Sequence, residues 1–162
     1  MVKPSKIYSE LMNSNLDFIY ITKNASIACD LIKSGVRWIM VDLEHIGKKS
    51  RQEGRDTVIS AHTLIDVKEM CKAISSENLL VRVNPFGQHS KAEINAVIDA
   101  GARNLMLPYF KNANEVECFL NIVSRRCKVF LLLETLEAIE NLDSILELKG
   151  IDYIHIGLND LH

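Results

Sequence analysis

The sequence predicts an α/β fold of about six parallel βα units, closed as part of a barrel or laid out as an open doubly wound sheet. Three observations carry that expectation. Short β-branched runs alternate with amphipathic runs of roughly ten to fifteen residues. Several of the short runs are apolar throughout, as parallel strands covered on both faces are. The runs that begin near 104, 128 and 153 are evenly spaced at about one βα unit of a barrel.

Each element has its own local signal. Strands are expected at 18–22, 37–42, 79–84, 104–108, 128–134 and 153–157. The first helix, over 26–34, sets Ile27, Leu31 and Ile32 on one face and stops at Gly35. Thr63-Leu64-Ile65-Asp66 and Ser90-Lys91-Ala92-Glu93 read as capping boxes, each opening a helix with a side-chain oxygen on a free amide. Ile94, Val97 and Ile98 continue the second of these, and Gly101 ends it. Asn112 opens a helix that buries Val116, Phe119, Leu120 and Val123. Thr135 opens the last, with Ile139, Leu142, Ile145 and Leu146 inside and Gly150 as its stop. A weak repeat places Gly35-Val36-Arg37, Gly101-Ala102-Arg103 and Gly150-Ile151-Asp152 just ahead of strands. One stretch breaks the pattern: 46–61 is a long loop carrying Lys48, Lys49, Arg51 and Arg55, a length and charge that suit a lid over an anionic substrate or a solvated basic loop.

Composition narrows the function. The 162 residues are 48% hydrophobic and 25% charged, an ordinary globular balance and one domain's length. A formal net charge of −2 argues against nucleic acid or an anionic membrane surface as partner. No apolar run is long enough to span a bilayer, and no signal-peptide core follows Met1, so a cytoplasmic protein is expected. Cys29, Cys71, Cys118 and Cys127 show no metal-binding spacing and read as reduced packing residues. Glycine-rich phosphate-binding motifs are absent, which disfavours a nucleotide-binding open sheet.

In parallel α/β folds ligands sit at the carboxyl ends of the strands. Four predicted strands deliver ionisable groups there: Val41-Asp42-Leu43-Glu44-His45, Arg82 within Leu80-Val81-Arg82-Val83, Leu133-Glu134-Thr135, and Gly157-Leu158-Asn159-Asp160. Glu134 and Asp160 end neighbouring strands, about 4.8 Å apart in a sheet, so their carboxylates would reach one hard divalent cation such as magnesium or manganese; each would otherwise serve as a helix or turn cap. Arg82 offers a planar fork to a carboxylate, of a substrate or of Asp42. His45 is a candidate general base oriented by Asp42, or a surface histidine. His155 reads as packed or barrel-lining, and His62 as a loop or cap residue.

These motifs, together with Gly101-Ala102 ahead of Leu105-Met106-Leu107-Pro108 and the pair Leu132-Leu133-Glu134-Thr135 and Ile154-His155-Ile156-Gly157-Leu158-Asn159-Asp160-Leu161, resemble the HpcH/HpaI aldolase/citrate lyase family. The resemblance implies a single (β/α)8-type TIM barrel domain over 1–162, incomplete, with about six units present and the last two lacking. It implies a carbon–carbon lyase that forms or cleaves a 2-oxo acid through a metal-stabilised pyruvate enolate. Glu134 and Asp160 would hold Mg2+ or Mn2+, Arg82 would bind and polarise the substrate together with contacts at Gly157 and Asn159, and His45 with Asp42 would act as base. The partners implied are a small 2-oxo acid and an aldehyde, with homo-oligomers among full-length relatives. Residues 114–128 pass straight from helix to strand where typical members carry a longer insertion. The alternative expectation is a non-catalytic remnant or pseudoenzyme that needs a partner chain.

Overall fold

The computed structural model describes residues 16–47 and 60–158. Its order is β1 (Ile19–Ile21), α1 (Ala25–Lys33), β2 (Trp38–Asp42), α2 (Leu64–Ala73), β3 (Leu79–Arg82), α3 (Ser90–Asp99), β4 (Asn104–Leu107), α4 (Ala113–Val123), β5 (Lys128–Leu133), α5 (Leu136–Glu140), α6 (Leu142–Leu146) and β6 (Tyr153–Ile156). The six strands form one parallel sheet in sequential order, β1 to β6. A doubly wound sheet would reverse its order at a switch point; this one does not.

The sheet curls. Trp38 of β2 packs edge-on against Phe130 of β5 at 5.2 Å and against Tyr153 of β6 at 5.3 Å between ring centroids. In a flat sheet those strands would stand roughly 14 and 19 Å away, at about 4.8 Å per strand. The concave face therefore closes on itself as in an α/β barrel, six units making an incomplete one. Trp38, Met40, Leu80, Met106, Phe130 and Leu132 fill this inner layer, with Ile19 and Tyr153 against it. Alternate residues of the same strands, among them Ile39, Val41, Leu79, Val81, Leu105, Leu107, Val129 and Leu131, face the helices in the outer core. Burial on both faces is why these strands are apolar throughout.

The helix starts follow local chemistry. Asn24 and Asn112 accept the backbone N–H of Ile27 and Glu115, and Thr135 that of Ala138. The box at Thr63 forms, its N–H donating to Asp66 Oδ2 at 2.7 Å. The expected box at Ser90 does not. Ser90 N–H donates to Gly87 O and Ser90 Oγ accepts from Gly87 N–H, which moves the cap to His89 and leaves Glu93 to bond elsewhere. The expected last helix divides in two at Asn141, whose Nδ2 donates to Glu137 O at 2.7 Å and to Lys111 O at 3.3 Å. A side-chain amide that bonds the backbone competes with the helical ladder.

Among the described residues β1 and β6 each pair on one side only. Ile156 and Leu158 stand 60% and 70% exposed along the β6 edge, with Phe18 and Tyr20 open along β1. All four cysteines are free, and none of the described helices is long and apolar enough to cross a membrane.

Candidate active site at the carboxyl ends of the strands

Parallel register sets Asp42 beside Arg82 on the same face. The Arg82 fork closes on the Asp42 carboxylate, Nε to Oδ1 at 2.9 Å and Nη2 to Oδ2 at 2.8 Å. Asp42 Oδ1 also accepts the N–H of Glu44 at 3.1 Å, which turns the chain as it leaves β2 and brings Glu44 Oε2 within 3.5 Å of Arg82 Nε. Burial by itself would lower the Arg82 pKa. The hydrogen bonds and charge of Asp42, joined by the charges of Glu44 and Glu134, outweigh it and hold the guanidinium above its ordinary value.

Glu134 follows β5 and is only 8% exposed. Its Oε1 accepts the N–H of Tyr109 at 3.0 Å. Tyr109 lies in the left-handed region, φ 52°, and that turn after Pro108 is what aims the amide at the carboxylate. On the other side stands Gly157. A Cβ there would meet Glu134 Cβ at 3.0 Å and Oε2 at 3.1 Å, so the bare Cα is what admits the carboxylate against β6. Gly157→Ala is expected to destabilise the chain by about 1 kcal/mol, the low end for overpacking because β6 is an edge strand. It should also disturb any ion held by Glu134. Chemical denaturation measures the first effect, and full wild-type stability would mean that β6 simply slides away.

His155 shares the inner face of β6 with Tyr153 and Gly157. Burial, and then the charge of Arg82, push its pKa below the ordinary histidine value. Asp42, Glu44, Arg82, Glu134, His155 and Gly157 thus share one mouth. Its three acids are 1%, 3% and 8% exposed, and carboxylates so buried call for a cation: Arg82, the guanidinium they share, or a bound metal.

His45 is placed differently from the expectation. The Asp42 carboxylate engages Arg82 and the Glu44 amide, and the partner of the His45 ring is the carbonyl of Leu43, 2.9 Å from Nδ1. Because a carbonyl only accepts, Nδ1 carries the proton, and a neutral ring presents Nε2 as its basic nitrogen. The backbone amides of His45 and Ile46 both donate to Asn84 Oδ1, at 3.0 and 2.9 Å. Asn84 in turn donates Nδ2–H to Glu93 Oε1 at 2.6 Å. His45 borders a cavity of about 340 Å3 between α2 and α3, with Leu43, His62 and Glu93 among its lining.

Several of these groups escaped the sequence reading. His62 lies in the loop ahead of α2, as a loop or cap residue would, and its Nδ1 also accepts the backbone N–H of Asp42 at 3.0 Å. Tyr109, Asn84 and the true partner of Glu93 also went unread. Asp160 and Asn159, and the basic loop from Lys48 to Arg55, lie outside the described residues. Among the described residues no three His, Cys, Asp or Glu side chains gather as a metal cage.

The sequence profile of the HpcH/HpaI aldolase/citrate lyase family matches residues 18–162. Curated relatives include the 2-keto-3-deoxy-L-rhamnonate aldolases of Salmonella paratyphi B and Salmonella newport, each 24% identical over 79% of this chain and 54% of their own. The chain therefore spans about half the length of the curated relatives it matches. Among solved structures it resembles the HpcH/HpaI aldolase from Desulfitobacterium hafniense (TM-score 0.69, 17% identity, 94% of this chain and 66% of that one). It likewise resembles the citrate lyase beta subunit from Mycobacterium tuberculosis (TM-score 0.64, 18% identity, 93% and 61%). At those identities the likeness speaks for the fold.

Proposed function

Because the chain belongs to the HpcH/HpaI aldolase/citrate lyase family, we propose that it serves carbon–carbon lyase chemistry, the reversible cleavage of a 2-oxo acid to a smaller 2-oxo acid and an aldehyde. The observation that carries this reading is the seat of Glu134: a nearly buried carboxylate at a strand mouth, fixed on one side by Tyr109 N–H, admitted on the other by Gly157, and close enough to Arg82 to help keep the guanidinium charged.

The donor chemistry fits a hard divalent cation, magnesium or manganese, with Glu134 and Asp160 as the protein oxygens that would hold it. Bound there, the cation would supply Lewis-acid stabilisation of the charge that gathers on the substrate's keto oxygen. The side chains do the rest. Asp42 uses two of the five Arg82 donors and fixes the guanidinium plane, which leaves the remaining three for the substrate carboxylate or keto oxygen. Gly157 and Asn159 would line the substrate. Nε2 of His45 takes the proton of the substrate hydroxyl as the carbon–carbon bond breaks and the aldehyde leaves. The same nitrogen then returns a proton to the carbon that lost its partner.

The test is exchange of the pyruvate methyl protons for deuterium, followed by mass spectrometry with Mg2+ or Mn2+ present. Metal-dependent exchange is expected. Arg82→Lys keeps the charge but loses the fork, and is expected to cost about 2–3 kcal/mol of transition-state binding. An unchanged catalytic efficiency in that variant would remove Arg82 from the site.

A second reading, a non-catalytic chain that folds with a partner, draws on the apolar edges at β1 and β6. It expects no exchange in the isolated chain, and light scattering that reports association.

A further inference from the structure

Glu93 is the residue whose expected role the structure overturns, and its actual role leads to the base. With the cap shifted to His89, the Glu93 carboxylate, its Oε2 3.9 Å from His89 Nε2, reaches across to the residues that follow β3. There it accepts the backbone N–H of Asn84 at 3.3 Å and, at 2.6 Å, the side-chain amide of Asn84. Asn84 is 3% exposed, and both ends of its side-chain amide are used. The carboxylate can only accept, so it holds the NH2 end of the amide and aims Oδ1 the other way. Oδ1 meets two successive amides, those of His45 and Ile46, across a sequence separation of 39 and 38 residues.

We propose that Asn84 and Glu93 are positioning residues that clamp the turn after β2 and thereby set where His45 presents Nε2. The proposal rests on the reading of His45 as the base. The Nδ1 bond to Leu43 O fixes the tautomer within the turn; the clamp fixes the turn to the barrel. Without it, the 45–46 backbone loses two hydrogen bonds at once, and His45 is free to drop towards the adjoining cavity beside α2 and α3. A helix-start glutamate that merely stabilises α3 would have no effect on the amides of residues 45 and 46.

Three variants separate these roles. Asn84→Ala removes the acceptor. Asn84→Asp keeps an acceptor but sets a second carboxylate against Glu93. Asn84→Asp combined with Glu93→Gln reverses donor and acceptor and rebuilds the clamp, because the amide introduced at position 93 donates to the carboxylate introduced at position 84. Amide hydrogen exchange at His45 and Ile46 is expected to speed up by about tenfold or more in both single variants, with Leu80 and Val81 unchanged, and to return towards the wild-type rate in the double variant. The 15N signature of a proton on His45 Nδ1 and the kcat of pyruvate deuterium exchange should fall and recover in step, with KM little changed. Unchanged amide exchange in Asn84→Ala, or a double variant no better than Asn84→Asp, would overturn the clamp. Absence of turnover in the wild-type chain would overturn the lyase reading alone, since amide exchange and the charge swap still decide the clamp.

Discussion

Asp42→Ala is expected to lower the stability of the fold by about 3 kcal/mol, because it strands a charged guanidinium that the protein has already taken out of water. The Arg82 side chain is 14% exposed and both of its short bonds go to Asp42. Glu44, at 3.5 Å from Nε, remains as a partial counter-charge, which holds the effect to the lower end of the range for broken buried pairs. Asp42→Asn, which retains one acceptor oxygen, should fall between the two. Equilibrium unfolding in urea measures all three proteins, and a loss below about 1 kcal/mol for the alanine variant would mean that water reaches the pair.

The second large effect concerns the ion. Glu134→Ala should weaken Mn2+ or Mg2+ binding by roughly 100-fold or more, since changes to the groups that merely support a ligand already cost about 10- to 100-fold. Calorimetric titration of wild type and variant side by side gives the ratio. Equal affinities would exclude Glu134 as a ligand. The variant should keep its fold, because the pocket it vacates opens to the mouth and the Tyr109 amide it leaves can turn to water.

What the sequence made legible was largely what is periodic or adjacent, although Ile27, Ile139 and Leu146, expected inside on helical spacing, stand exposed. All six strands lie within two residues of their expected ends, and β2 to β5 show why: a parallel strand covered on both faces must be largely apolar. The pairing of Asp42 with Arg82 was readable as one of two options, because a buried cation needs a nearby acid. Closure of the sheet was not readable from spacing; it depends on Trp38, Phe130 and Tyr153 meeting across three and four strands. The supports of the site were hidden for a different reason. Asn84 serves His45 from 39 residues away, and Glu134 rests on a backbone amide, a group that every residue but proline possesses. Glu93 misled because its spacing from Ser90 satisfies a local rule that a neighbouring strand overrides. Residues 159 and 160, which complete the motif at the end of β6, lie beyond the described part of the chain.

The aromatic cluster on the concave face has an optical consequence. Trp38 is the single tryptophan of the chain, is nearly buried, and packs edge-on against the stacked rings of Phe130 and Tyr153. Its emission therefore originates wholly from inside the curl of the sheet, blind to the helices that surround it. A shift to longer wavelength signals that β2 has parted from β5 and β6 and water has entered, whereas circular dichroism follows the helical shell. Recorded together during unfolding, the two signals tell whether the inner layer and the outer layer come apart in one transition or in succession.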